Sequence, residues 1–184
     1  MARFRNWLVT GEQRMLHWAN RRPGHVGWNT WLSRWLGIVT HTGGATFTLA
    51  TALLIGLLGE SPWSAAGWQS LAAVALSHLP VAVVKRWFKR PRPYQALPHL
   101  NIGRNLLRDA SFPSGHTTAI FAWLTPLVLA DAALLPFLLP IALVIGLSVA
   151  WSRMYLGLHY PSDVIVGGLL GTVTALAVSY AGWL

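Results

Sequence analysis

Five stretches of the chain carry no Asp, Glu, Lys or Arg: residues 35–59, 61–84, 110–130, 132–152 and 164–184. Their lengths are 25, 24, 21, 21 and 21 residues. A helix needs about 20 mostly apolar residues to cross a hydrocarbon core of about 30 Å. Each stretch therefore predicts a membrane-spanning helix. In the third, Ser111-Phe112-Pro113-Ser114-Gly115-His116 reads as a loop, so that helix is expected to start near Gly115. Ahead of the first stretch, Phe4, Leu8, Gly11, Met15 and Trp18 fall on one helical face, with Arg3, Arg14 and Arg21 largely off it. That pattern predicts an amphipathic helix lying in the membrane interface. No unbroken apolar run follows it, so it is not a cleavable signal peptide. Arg21-Arg22-Pro23-Gly24 is expected to end it. Trp28, Trp31, Leu32, Trp35 and Leu36 then form a second stripe leading into the first span, with Trp at headgroup depth. Gly43-Gly44 offers that segment a place to bend.

The expected fold is an all-α, polytopic membrane helix bundle: about five transmembrane helices plus an N-terminal interfacial amphipathic helix. Residues 1–184 are expected to form a single domain, with 1–34 as the interfacial segment. Composition agrees. Charged residues make up 10% of the chain and hydrophobic ones 54%, against about 25% charged in soluble domains. The absence of Cys excludes disulfides, thiolate nucleophiles and Cys-ligated zinc. A net charge of +9, from 14 basic against five acidic residues, first suggests a nucleic-acid partner. Five spans leave only short connections to build such a surface, and no nucleic acid is expected. In the five-span arrangement all 14 Lys and Arg fall on one side, from Arg3 to Arg34, Lys85 to Arg108 and at Arg153. Glu60 and Asp131 alone remain on the other. The positive-inside rule makes the basic face cytoplasmic, in a multi-pass cell-membrane protein.

The one extended polar connection, residues 85–112, begins Lys85-Arg86-Trp87-Phe88-Lys89-Arg90-Pro91-Arg92-Pro93. Such a cluster commonly anchors the end of a span. Each Pro, however, holds the preceding Arg extended, and a rigidly placed Arg92 suits bidentate capture of a phosphate. Next comes Pro113-Ser114-Gly115-His116. Ser114 is a plausible N-cap, free helix N–H groups bind anions, and Gly115 admits a ligand close to the backbone. His116 falls in the first turn. The third group is Ser152-Arg153, His159 and Asp163, with Pro161 suited to the first turn of the last helix. An Asp beside a His fixes its tautomer and raises its basicity. Two other readings are an Arg153–Asp163 ion pair closing a helix hairpin and a metal site from His116, His159 and Asp163. The surrounding cations would repel a metal ion. His17, His25, His41, His78 and His99 read as ordinary polar residues. A channel or transporter would need polar groups at mid-depth, where the candidates are chiefly His41, Gln69 and His78. An even number of spans separates the groups, so all three emerge on one membrane face. Cations and helix N–H groups would hold a tetrahedral oxyanion there, with two His left for chemistry.

Lys85-x6-Arg92-Pro93, Pro113-Ser114-Gly115-His116 and Ser152-Arg153-x5-His159-x3-Asp163 resemble the three signature motifs of the type 2 phosphatidic acid phosphatase superfamily. They cover residues 85–163. The resemblance implies a membrane lipid phosphatase acting on phosphatidylglycerophosphate, phosphatidic acid or undecaprenyl diphosphate, with no metal or other cofactor. It implies that His159, oriented by Asp163, attacks phosphorus and becomes a phosphohistidine. His116 would protonate the leaving oxygen and then activate water. Lys85, Arg92, Ser114, Gly115 and Arg153 would bind the phosphate. Many members have six spans, and here the first is replaced by the interfacial helix. Many bacterial members also place the site on the outer side, against the positive-inside reading.

Overall fold

The computed structural model describes residues 2–20, 28–100, 102 and 106–181, with side chains from residue 9 in the first helix and from residue 31 in the second. The Arg21–Gly24 turn, His25, and the side chains of Arg3, Phe4, Leu8 and Trp28 lie outside the described residues. Among the described residues there are eight helices: α1 (Ala2–Asn20), α2 (Trp28–Thr42), α3 (Ala45–Leu58), α4 (Trp63–Phe88), the short α5 (Pro93–Ala96), α6 (Gly115–Leu129), α7 (Leu135–Tyr155) and α8 (Pro161–Tyr180). The protein is an all-helical, multi-pass membrane protein. Helices α4, α7 and α8 are each long and apolar enough to cross a membrane. The first apolar stretch is not one straight span. It breaks at Gly43-Gly44, and the two pieces meet at 61°. A Cβ at Gly43 would lie 2.9 Å from the His116 carbonyl oxygen and 2.6 Å from Val149 Cγ1, so glycine lets this corner pass against α6 and α7.

Helix α6 starts at Gly115, as the loop-like sequence before it predicts. At 15 residues it is shorter than a lipid-exposed span requires. Burial explains why that is tolerated: α6 is enclosed by α4, α7 and α8, and irregular backbone at membrane depth is stable where protein surrounds it. One face of α6, with Ile120, Leu124 and Val128, packs on Leu36 and Val39 of α2 and Val149 of α7. The other, with Ala119 and Ala122, packs on Ala73 and Val74 of α4 and Ala175 of α8. Many other large apolar side chains point outward, among them Leu57, Leu79, Phe137, Val144, Leu169 and Val173. In lipid there is little gain from burying leucine, and helices associate through small residues, close packing and interhelical hydrogen bonds. Ser70 Oγ donates to the Trp123 carbonyl at 2.9 Å, while a Cβ at Gly171 would meet the Thr118 carbonyl oxygen at 2.2 Å.

In α1, Leu16, Ala19 and Asn20 are buried against the bundle, and Asn20 Nδ2 donates to the Tyr155 carbonyl at 2.8 Å. Met15 and Trp18, on the stripe read from the sequence, are exposed. Trp31 and Trp35 of the second stripe stack with centroids 6.3 Å apart, while Leu36 turns inward. His78 is an ordinary polar residue, its Nδ1 2.7 Å from the Val74 carbonyl of its own helix.

Helix directions place the C-terminal ends of α4 and α7 and the N-terminal ends of α6 and α8 at one end of the bundle. Close α6–α8 contact is what brings those ends together. A Gly171→Val substitution is expected to lower stability by about 1–3 kcal/mol through overpacking. Gly37→Ala, where no atom lies within 4 Å of the added Cβ, should leave the thermal unfolding midpoint in detergent nearly unchanged.

Candidate active site

Helix α4 ends at Phe88, where Lys89 takes a left-handed conformation with φ 42°. Pro91 then prevents the helix from continuing, and Pro93 opens the short α5 as its first residue. Arg92 is extended, with φ −74° and ψ 154°, as the following proline requires. Its side chain is fully buried. Nε donates to the Asp109 carbonyl at 2.9 Å and Nη2 to Asp109 Oδ1 at 2.7 Å. Nη1 donates to the Leu158 carbonyl at 2.9 Å and lies 3.1 Å from His159 Nε2. A guanidinium has only donors. Nε2 of His159 is therefore the acceptor, and a neutral imidazole must carry its proton on Nδ1. That nitrogen faces Asp163 Oδ2 at 3.4 Å and has no closer partner among the described residues.

Asp163 has no solvent exposure and sits in the first turn of α8 behind Pro161. A buried carboxylate must be matched by donors. Oδ2 accepts from the Tyr160 N–H at 2.8 Å and from the Ser111 hydroxyl, and Oδ1 from Arg90 Nη1 at 2.9 Å. The Asp163 carbonyl accepts from the Ser114 N–H at 3.0 Å, which ties the second motif to the third. Ser114 is the N-cap of α6, its hydroxyl accepting from Thr117 N at 3.5 Å and Thr117 Oγ1 at 3.0 Å. The position a Cβ would take at Gly115 is open space.

Lys85 lies in the last turn of α4, with Nζ 2.5 Å from Asp109 Oδ2. Asp109 thus bridges Lys85 and Arg92. Burial alone would raise its pKa, but the two cations outweigh it and hold the carboxyl down at about 2. Arg153 is buried, Nη1 donating to Thr40 Oγ1 at 3.0 Å. Its Nε is buried with no acceptor among the described residues, as expected of a cation kept ready for an anion. No Arg153–Asp163 ion pair closes the hairpin. Asp163 is paired with Arg90 instead. His116 stands in the first turn of α6, near enough for the charges of Arg153, His159, Lys85 and Arg92 to act on it. Among the described residues, no three His, Asp or Glu side chains group as metal ligands would.

The eight residues singled out in the sequence thus belong to one neighbourhood. Asp109, Arg90, Ser111, Thr40 and Glu12 were missed, although each hydrogen-bonds a charged residue of the network: Asp109 accepts from Arg92, Arg90 and Ser111 donate to Asp163, Thr40 accepts from Arg153 and Glu12 from Arg90. The signal for the acids was present. With five in the chain, any acid on the strongly basic face is a candidate ion-pair partner.

Residues 66–184 match the PAP2 superfamily. The chain is 36% identical over 138 residues to the decaprenylphosphoryl-5-phosphoribose phosphatase of Mycobacterium tuberculosis, covering 71% of each. It is 31% identical over 152 residues to phosphatidylglycerophosphatase B of Bacillus subtilis, covering 77% of this chain and 70% of that one. The crystal structure of a PAP2-type phosphatidylglycerolphosphate phosphatase from Bacillus subtilis superimposes with a TM-score of 0.76 at 26% identity, over 96% of this chain and 86% of the other. Aquifex aeolicus LpxE shares the fold, with a TM-score of 0.77 at 21% identity over 91% and 94% of the two chains. The chain belongs to the PAP2 superfamily.

Burial pushes the His159 imidazole from its ordinary 6.5 down to about 4, with Asp163 opposing the shift and Arg153 and Arg92 adding to it. Above about 4 the ring is neutral and Nε2 keeps its lone pair; below it, protonation removes that pair. The acid limb of kcat/KM is therefore expected near pH 4, once corrected for the substrate phosphate, which itself titrates near 6. Asp163→Asn removes the contribution that raises the His159 pKa. It should move that limb to lower pH and reduce kcat by roughly 10²–10⁴-fold.

Proposed function

We propose that this site hydrolyses a phosphate monoester or diphosphate on a lipid, without a metal, through a phosphohistidine on His159. The observation that carries the reading is the Arg92–His159 contact, which leaves the Nε2 lone pair directed at the cationic pocket and the Nδ1 proton toward Asp163. Nε2 attacks phosphorus as the bond to the lipid oxygen breaks, and His116 gives that oxygen its proton. His116 then takes a proton from water, which attacks phosphorus, breaks the P–N bond and releases inorganic phosphate. Lys85, Arg92, Arg153, Ser114 and the Gly115 N–H stabilise the charge on the equatorial oxygens. In the free enzyme Asp109 holds Lys85 and Arg92, and the incoming phosphate takes its place.

Lipid as the carrier of the phosphate has separate support. An apolar groove of about 560 Å³ runs between α7 and α8, lined among others by Thr117, Phe121, Leu147, Trp151 and Val164. Thr117 and Val164 directly follow His116 and Asp163 in sequence, so the groove reaches the first turns of α6 and α8. A hydrocarbon tail fits there while the headgroup reaches the cations. The named relatives act on lipid-linked phosphates, one of them prenyl-linked and one a glycerophospholipid phosphate by name. Both chemistries belong in the test panel.

The whole chain, 1–184, works as one unit, with residues 1–34 at the membrane interface. Exposed Met15 and Trp18 support that placement of α1. In the cell membrane, the basic excess supports a cytoplasmic site even after Lys85, Arg92 and Arg153 are set aside as phosphate ligands. Labelling of a His99→Cys variant by an impermeant reagent in intact cells would overturn that orientation.

Purified enzyme should release phosphate from long-chain lipid phosphates and diphosphates, and EDTA should leave the rate unchanged. His159→Ala should abolish turnover while accumulating normally in membranes. Substantial residual activity in that variant would sink the assignment, and loss on chelation would restore the metal reading.

A further inference from the structure

The catalytic assignment uses His159 and Asp163 but leaves a second ion pair beside them without a role. Arg90 Nη1 donates to Asp163 Oδ1 at 2.9 Å and to the Ser162 hydroxyl at 2.7 Å. Its Nη2 donates to Glu12 Oε2 at 2.6 Å. The other oxygen of Glu12 accepts from the Ser162 N–H at 3.0 Å and from the Ser162 hydroxyl. Glu12 belongs to α1, 78 residues from Arg90 and 150 from Ser162 in sequence. A single carboxylate of the N-terminal helix thus grips both Arg90 and the first turn of α8. The Arg90 guanidinium also lies over the Tyr160 ring, with Cζ 3.9 Å from its centroid. Tyr160 connects His159 to α8, and its N–H binds Asp163.

We propose that Arg90, held by Glu12, is a positioning residue for the Asp163–His159 pair, and that α1 is thereby part of the working site. The inference rests on the proposed role of His159.

Two physical effects follow from this arrangement. The first is orientation. The Tyr160 N–H and the Ser111 hydroxyl both bind Oδ2, the oxygen facing His159, whereas Arg90 is the partner of Oδ1. Without Arg90 the carboxylate can rotate about its own bond and lose its aim at Nδ1. The contact with Tyr160 and a second anchor at Glu12 limit the rotamers open to Arg90, so the aim is fixed from three elements at once. The second effect is charge. Arg90 by itself would cancel the negative charge of Asp163, which must balance the positive charge that builds on the imidazole as Nε2 attacks. Glu12 returns one negative charge to the cluster: two carboxylates and one guanidinium. All three side chains are largely withdrawn from solvent, with 17% exposure for Glu12, 28% for Arg90 and none for Asp163, so solvent screens them only partly. Glu12 also lies against the N–H groups at the start of α8, where a carboxylate is favoured.

Glu12→Gln keeps the size and an acceptor but removes the charge, and Arg90→Gln removes the aim at Oδ1. Per enzyme able to form the trapped phosphohistidine, kcat is expected to fall roughly tenfold in the first and 10–100-fold in the second, a fraction of what a complete general acid–base group contributes. KM for a lipid phosphate should stay within twofold, because neither residue touches the phosphate cations. Arg90→Lys should recover part of the loss. The double variant Glu12→Gln with Arg90→Gln should be no slower than Arg90→Gln alone, since Glu12 acts through Arg90. Unchanged kcat per site in Glu12→Gln, with only the melting temperature lowered, would make the cluster merely structural and overturn the proposal; this variant decides the matter even if Arg90→Gln does not fold. His159→Ala in the same assay separates the two levels. Its loss of activity beside fully active Glu12→Gln and Arg90→Gln enzymes rejects only the positioning role, whereas its retention of activity rejects the catalytic assignment itself.

Discussion

Much of the described site depends on keeping one carboxylate charged where water cannot reach it. Asp163 has no exposure, and an unmatched buried charge would cost several kcal/mol or be neutralised. Its donors come from far apart in sequence: Arg90 after α4, Ser111 before α6, and Tyr160 at the start of α8. The Ser114 N–H adds a bond to its backbone carbonyl. Satisfying Asp163 therefore assembles the loops. The same bonds that stabilise the carboxylate bring the three motifs into contact.

Asp109 plays the complementary part among the cations. Lys85 and Arg92 would repel each other in a partly dry pocket, and the bridging carboxylate lets both be held there together. Arg153 is held differently, by a neutral hydroxyl from α2, its buried Nε having no acceptor among the described residues. Packing of α2 against α7 is what sets Thr40 beside it. A feature of helix packing thus sets the position of a charged group in the site. Arg92 serves the other side as well, since its contact with His159 Nε2 selects the tautomer that points a proton at Asp163.

Membrane packing supplies the rigid frame. Alanine, serine, threonine and glycine line much of the interior beside a few larger side chains such as Leu36, Ile120 and Val149, while many other leucines and valines face outward. Close approach of α6 and α8 at Gly167 and Gly171 leaves no room for a Cβ, and it holds the N-terminal ends of both helices side by side. His116 and Asp163 stand in those two first turns. A short α6 is acceptable because neighbouring helices, rather than lipid, cover it.

The all-helical character, the apolar stretches, the start of α6 at Gly115 and the common face of the three motifs were legible in the sequence. Each depends on local properties: uninterrupted hydrophobic length, proline and serine at helix starts, and the parity of crossings. The extended backbone at Arg92 was legible for the same reason, because a following proline restricts it whatever the surroundings. The partners were not. A buried Asp163 could have paired with Arg153, ten residues away in sequence, yet it pairs with Arg90, and Glu12 reaches across 150 residues to Ser162. Charge pairing falls steeply with distance, and distances between remote residues are set by how the helices cross. Residue identity and spacing decided which groups were available for the chemistry; the tertiary structure decided which of them neutralise, orient and hold one another.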